Sequence, residues 1–164
     1  MPAWFSYVIP AVFVALLGAT ALSDLFRRKI PNWAVLAMVG LYVVAAFTGV
    51  APTGPWSALG AALIAFPITY ALYHFNIMGA GDAKLFTAAA LFTGLTWLMQ
   101  FAVITAMLGG MLAIGFLIVR PRRVFRGLTT AGRAEGAGAG IPYGVPIALA
   151  AAAVGVLNGF LSFT

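Results

Sequence analysis

The sequence contains no cysteine, and this absence excludes disulfides, thiolate zinc sites and a cysteine nucleophile. Charged side chains are also scarce, since they make up 7% of the 164 residues, whereas 63% of the residues are hydrophobic. Soluble domains carry about a quarter charged residues. This composition therefore indicates a chain whose natural surroundings are lipid, with no room for a separate soluble domain.

Acidic residues are the rarest charged residues, with three Asp and Glu against nine Lys and Arg, for a net charge of +6. A positive excess of this kind can indicate nucleic-acid binding. In a membrane protein, however, Lys and Arg are first a signal of topology. We therefore expect membrane lipids as partners and no nucleic acid.

The hydrophobic residues fall in runs close to the 20 residues that a helix needs to cross the hydrocarbon core, without the alternation of a barrel. They predict an all-α integral membrane protein, a six-helix transmembrane bundle that forms a single domain over residues 1–164. The predicted spans are Trp4–Leu22, Trp33–Val50, Ser57–Met78, Leu85–Thr96, Leu98–Val119 and Ile141–Leu161.

A break near Gly94–Gln100 is part of this prediction, because one helix over Leu85–Val119 would measure about 50 Å against a core of ~30 Å. With the break, all nine Lys and Arg fall on one side, which the positive-inside rule makes cytoplasmic. Both termini then face the periplasm or exterior, and the protein is a multi-pass protein of the inner (plasma) membrane. No Lys or Arg precedes the first run, so we expect a retained helix rather than a cleaved signal.

The acidic residues that could do chemistry are Asp24 at the end of the first span and Asp82 before the fourth. The predicted topology places both at the cytoplasmic edge, where costly ionisable groups indicate a functional site. A structural reading stands beside this one. Asp24 could pair with Arg27 or Arg28, and Asp82 could cap the following helix. Glu135 lies in the polar loop and is expected to be a solvated charge.

Two glycines, Gly79 and Gly81, precede Asp82 and would let the backbone approach another chain closely, as a peptide substrate requires. The segment is neither a phosphate-binding Walker loop nor a dinucleotide fingerprint, because the residues that follow do not match. His74 is the only histidine, so neither a metal site nor a serine triad is predicted.

Three segments together resemble the type IV prepilin leader peptidases. Gly79–Lys84 is similar to the GxGDxK motif of that family, Ser23–Asn32 resembles its first-aspartate segment, and Ile141–Ile147 resembles the PYG segment of its last helix. The ordered set, which spans nearly the whole chain, is more specific than any one of the motifs.

The resemblance implies an aspartyl endopeptidase of the GxGD type, with Asp24 and Asp82 as the catalytic pair. Such an enzyme removes the short basic leader of prepilin-like precursors at the cytoplasmic face. Two carboxylates in one site are expected to titrate as a pair, one protonated and one ionised, and so to need no metal or cofactor. The residues expected to bind the substrate are Gly79, Gly81, Lys84 and Tyr143.

The last two of these assignments have alternatives. Lys84 lies two residues after Asp82, so on a helix it projects about 200° away, and it could bind lipid phosphate instead of the substrate backbone. Tyr143 could line the cleft or anchor the chain at the membrane interface.

Many relatives carry a further N-terminal cytoplasmic domain with paired cysteines and also N-methylate the trimmed pilin. This sequence lacks that domain, so the resemblance is to the short form that serves Flp/Tad-type pili, and methyltransferase activity is not expected. Archaeal preflagellin peptidases share the same short core.

Two other functions remain open on the residues alone. A small proton-coupled carrier would use intramembrane acids as a proton relay, although it would need a polar path at the midplane. A non-enzymatic subunit of a pilus or secretion assembly would use both aspartates only as caps or ion-pair partners. The sequence does not indicate the oligomeric state.

Overall fold

The structure, a computed structural model, describes residues 4–75, 77–119 and 143–161. The described residues form helices joined by short connections, with no strand among them. The polar loop that carries Glu135 lies outside the described residues. The helices are α1 (Phe5–Arg27), α2 (Asn32–Thr48), α3 (Pro55–His74), α4 (Ala80–Val119) and α5 (Gly144–Leu157).

Proline and glycine set several of these helix boundaries. Pro31 lies in extended conformation just before α2, and Pro55 occupies the first position of α3, where a missing N–H costs nothing. Gly49 ends α2 with a φ of 72°, and Arg28 ends α1 with a φ of 50°. The Arg28 N–H donates to the Asp24 carbonyl oxygen at 2.9 Å, so the last turn of α1 is closed.

Three stretches are long and apolar enough to cross a membrane, namely Phe5–Arg27, Pro55–His74 and Ala80–Gly115. The helices α2 and α5 are shorter and also apolar. Large hydrophobic side chains such as Phe47 and Trp56, 83% and 84% exposed, cover the outside of the bundle. Such an exposed apolar surface is typical of a protein surrounded by lipid.

The fourth helix folds back on itself at Gly94, whose φ of 60° and ψ of −177° are not helical. In a straight helix Phe86 and Phe101 would lie about 22 Å apart along the axis. Their ring centroids are instead 4.4 Å apart, stacked at 27°. Residues 80–93 and 95–119 therefore form two arms that meet at a single residue.

This geometry corrects the prediction of six helices to five in the described residues, because the predicted fourth and fifth spans form one element without a loop. The break lies at Gly94, at the edge of the segment where it was predicted. Other helix boundaries also differ from the predicted spans, and two of these differences concern the aspartates. The first helix continues to Arg27, and the fourth begins at Ala80, so Asp24 and Asp82 both lie on helices.

Polar side chains satisfy the backbone groups that the break at Gly94 leaves without helical partners. These bonds matter in lipid, where no water replaces a lost backbone hydrogen bond. Ser57 Oγ accepts from the Leu95 N–H at 2.9 Å, and Thr53 Oγ1 and Asn158 Nδ2 donate to the carbonyl oxygens of Leu91 and Phe92 at 3.0 and 3.3 Å.

Small residues fill the contacts between the helices and let the backbones approach closely. Ala58, Ala61 and Ala65 are buried where α3 packs on α4. The last helix, α5, packs against both α4 and α1. Its first residues therefore reach the end of α1 that carries Asp24.

We predict that Gly94→Ala destabilises the protein by about 1–3 kcal/mol, because the left-handed backbone conformation is strained for alanine. Its Cβ would also lie 2.7 Å from both Ser57 Oγ and Thr53 Cγ2. The measurement is the melting temperature of the purified protein in detergent. The control is Gly110→Ala in the same helix, where a Cβ meets nothing within 4 Å. Equal melting temperatures for the two variants would contradict the role of Gly94.

Candidate active site

Asp24 lies in the last turn of α1 and is 6% exposed. Its Oδ2 accepts a hydrogen bond from the backbone N–H of Gly144 at 2.8 Å, across 120 residues of sequence. Gly144 is the first residue of α5, where backbone N–H groups have no partner within the helix and the helix dipole favours a negative charge. The carboxylate of Asp24, which α1 carries, therefore lies against the N-terminus of α5.

Position 144 has no space for a side chain. A Cβ on Gly144 would lie 2.8 Å from Oδ2, 2.9 Å from Cβ and 3.0 Å from Cγ of Asp24. A Cβ atom essentially never lies within 3.0 Å of such neighbours, so one of the groups would have to shift. A side chain at position 144 would therefore displace the Asp24 carboxylate.

Asp82 lies in the first turn of α4 and is partly buried. Its carboxylate folds back over the residue that precedes the helix, because a Cβ on Gly79 would come within 2.8 Å of Asp82 Oδ2. The negative charge of Asp82 thus lies at the positive end of its own helix. Each of the two aspartates is held at a helix N-terminus, Asp24 at that of α5 and Asp82 at that of α4.

The two carboxylates lie close enough for their charges to interact. Asp24 also interacts electrostatically with Arg28, the residue after α1. The structure therefore brings together the pair of acids that the sequence singled out. The interaction with Arg28 and the position of Asp82 at a helix start were also predicted by the alternative in which both aspartates only stabilise the fold. The two roles are compatible, because a carboxylate that stabilises a helix can also take part in a reaction.

The start of α4 packs against the connection between α1 and α2. A Cβ on Gly81 would lie 3.1 Å from Ile30 Cβ, so glycine allows a close approach here. Lys84 Nζ donates to Asn32 Oδ1 at 3.2 Å. In this structure Lys84, predicted to bind substrate or lipid, ties the Asp82-bearing turn to the start of α2.

Tyr143, the other predicted substrate-binding side chain, packs on the second arm of α4. A Cβ on Gly109 would lie 2.6 Å from Tyr143 Cε1. The residue is partly buried, with its ring against Gly109. It fixes the start of α5, and with it Gly144, against α4.

A groove of about 640 Å³ lies between the end of α1 and the start of α2, and its lining includes Ser23, the residue before Asp24, but not Asp24 itself. Its shape depends on the Ser23 hydroxyl, which donates to the Lys29 carbonyl oxygen at 2.8 Å. Apolar side chains make up most of its wall, and Arg27 and Lys29 add positive charge. The lining residues are Ala19, Leu22, Ser23, Phe26, Arg27, Lys29, Ile30, Pro31, Asn32, Trp33 and Ala34.

Within residues 4–75, 77–119 and 143–161, no group of three His, Cys, Asp or Glu could hold a metal ion. His74 lies at the exposed end of α3, with its ring 5.7 Å from that of Phe75. The acidic side chains among the described residues are those of Asp24 and Asp82.

Gly144 was not among the predicted site residues, although it lies in the segment that resembles the PYG motif. The contribution of Gly144 is a backbone N–H, which every residue except proline has. Its signal in the sequence is limited to a glycine directly after Tyr143.

Comparison with known proteins gives one match. The model of the type IV leader peptidase family matches residues 11–114, more than half of the chain and a range that includes Asp24 and Asp82. The match confirms the resemblance to leader peptidases, and its range contains the segments Ser23–Asn32 and Gly79–Lys84 but ends before Ile141–Ile147. No curated protein and no solved structure matches the chain.

We predict that Gly144→Ala lowers the rate of leader cleavage about 100-fold, because a displacement of about 1 Å at a reacting group can have an effect of that size. The measurement is cleavage of a leader-bearing precursor by the purified variant. The control is Gly18→Ala in α1, where a Cβ meets nothing within 4 Å. Wild-type activity in Gly144→Ala would show that the position of Asp24 does not depend on this contact.

Proposed function

Since the chain belongs to the type IV leader peptidase family and is thus an aspartic-type peptidase, we propose that Asp24 and Asp82 are its catalytic pair. The observation that supports this proposal is that Asp24, held at the start of α5, and Asp82, in the first turn of α4, are near enough to interact electrostatically. They come from opposite halves of the matched region, so the fold brings them together from distant positions in the sequence.

Peptide hydrolysis by this pair needs one ionised and one protonated aspartate. The ionised carboxylate takes a proton from a water molecule as the water oxygen attacks the scissile carbonyl carbon. The protonated carboxyl donates a hydrogen bond to the carbonyl oxygen, on which negative charge develops. Proton transfer to the peptide nitrogen then allows the C–N bond to break and releases the amine.

Gly144 positions Asp24 for this chemistry. One lone pair of Oδ2 is used by the Gly144 N–H, which fixes the carboxylate plane and leaves other acceptor positions for a water molecule. The contact of Tyr143 with Gly109 holds the start of α5 in place, and with it the Gly144 N–H that binds Asp24.

The substrate class that we propose is a prepilin-like precursor with a short basic leader before a hydrophobic helix. Leader peptidases of this family act on such precursors, which supports the assignment. The narrower assignment to Flp/Tad-type pilins rests on the sequence resemblance, and a panel of precursors from different pilus systems tests it.

We propose that cleavage takes place at the cytoplasmic face of the inner membrane. The positive residues Arg27, Arg28 and Lys29 lie at the end of the bundle that carries the two aspartates, as the positive-inside rule requires of a cytoplasmic end. The basic part of the groove would repel a basic leader and attract anionic lipid headgroups. Both termini would then face the periplasm or exterior.

We predict that Asp24→Asn and Asp82→Asn each abolish leader removal while the melting temperature stays near that of the wild type. An amide cannot exchange the proton that either step requires. The measurement is cleavage of a Flp-type precursor in membranes at matched protein levels. Glu135→Gln removes the one other acidic side chain of the sequence and serves as the control. Normal cleavage by either aspartate variant would make that residue structural, as in the reading of the chain as an assembly subunit.

We predict that a cysteine at position 29 is labelled from the cytoplasm and a cysteine at position 54 from the opposite side. The chain has no native cysteine, so Lys29→Cys and Gly54→Cys give single exposed labelling sites at the two ends of α2. A membrane-impermeant maleimide is applied to intact spheroplasts and to inside-out vesicles. Labelling of Lys29→Cys in intact spheroplasts would place the aspartates on the external face and overturn the proposed topology.

A further inference from the structure

The folded-back shape of α4 places Thr105 opposite Asp82. Asp82 and Phe86 are four residues apart and share one face of the first arm, and Phe101 and Thr105 share one face of the second arm. Phe86 and Phe101 stack against each other at 4.4 Å. Since the arms run back from Gly94, the next turn on each arm places Asp82 and Thr105 at the same level, facing the same interior.

A second set of contacts connects Thr105 to Asp24. Gly109 lies one turn beyond Thr105 on the same face of the helix. The ring of Tyr143 packs on Gly109, and the next residue, Gly144, donates its N–H to Asp24. Thr105 therefore lies at the level of Asp82 and one turn from the contact between Gly109 and Tyr143 that leads to Asp24.

The hydroxyl of Thr105 is buried and has no hydrogen-bonding partner among the residues that the structure describes. The residue is 4% exposed. The other buried threonines differ, because each donates to a carbonyl oxygen of its own helix. These bonds are Thr20 to Leu17 at 2.9 Å, Thr69 to Ala65 at 2.9 Å and Thr93 to Ala90 at 3.1 Å.

An extended peptide that reaches the aspartates brings its own backbone N–H and C=O groups into a site shielded from water. Each of these groups needs a partner there, as backbone groups in lipid do. A threonine hydroxyl provides a donor and acceptor positions. A free hydroxyl at the level of Asp82, one turn from the contacts that lead to Asp24, is suited to binding such a peptide.

We propose that Thr105 is a substrate-binding residue, whose hydroxyl donates a hydrogen bond to a backbone carbonyl oxygen of the precursor beside the scissile bond. This inference rests on the proposed function and adds to it. The partner of the hydroxyl is the bound peptide, which explains why the hydroxyl is not used within the protein.

The test compares Thr105→Val, which keeps the shape and removes the hydroxyl, with Thr105→Ser, which keeps the hydroxyl. We expect Thr105→Val to lower kcat/KM by roughly 3- to 10-fold, mainly through a higher KM, as the loss of one hydrogen bond predicts. Its melting temperature should equal or exceed that of the wild type, because the free protein loses an unpaired buried hydroxyl. Thr105→Ser should recover most of kcat/KM.

The matched control is Thr69→Val, which removes a buried hydroxyl that is paired within α3. It should lower the melting temperature and leave kcat/KM unchanged. An unchanged kcat/KM in Thr105→Val overturns the inference, as does a loss that accompanies a lower melting temperature or that serine does not rescue. Asp24→Asn and Asp82→Asn are assayed alongside. If either cleaves normally, the proposed function fails, whereas a failure confined to Thr105→Val leaves it standing.

Discussion

The hydrogen-bonding demand of backbone groups that lie away from water is the constraint on which this structure depends. Lipid offers no partners, so each group must find one within the chain. At Gly94 the helix turns back, and side chains of Thr53, Ser57 and Asn158 take over the interrupted bonds. At Gly144 the free N–H of a helix start is satisfied by the Asp24 carboxylate. Folding and the placement of the acid thus use the same interaction.

Glycine makes these arrangements possible by leaving out a side chain where another group must come close. Asp24 occupies the space that a Cβ on Gly144 would need, Asp82 the space beside Gly79, and the ring of Tyr143 the space beside Gly109. The three contacts lie around the two aspartates and do not depend on a flexible turn. The glycines near the acids therefore shape the walls of the site, and they set the distance between α1, α4 and α5.

Composition and the length of the hydrophobic runs predicted an all-helical membrane protein, because a segment surrounded by lipid must be apolar and long enough to cross it. The scarcity of acidic residues singled out Asp24 and Asp82. The break in α4 followed from length, yet its location at one residue did not, since the single-residue turn depends on side chains from α3 and the end of α5. The fourth span was predicted to begin at Leu85, whereas the helix begins at Ala80, where Gly81 lies close to Ile30. Thr105 belongs to no recognisable motif. Its hydroxyl lacks a hydrogen-bonding partner because of how the helices pack, and the sequence does not show this.

The 120 residues that separate Asp24 from Gly144 in sequence also order events during synthesis. A ribosome that adds 5–20 residues per second needs about 6–24 seconds to go from the first of these residues to the second. During that interval α1 is already made while the backbone group that orients its acid does not yet exist. A nascent chain therefore cannot assemble the arrangement seen here, and the two aspartates become a finished pair only when the last helix has been made.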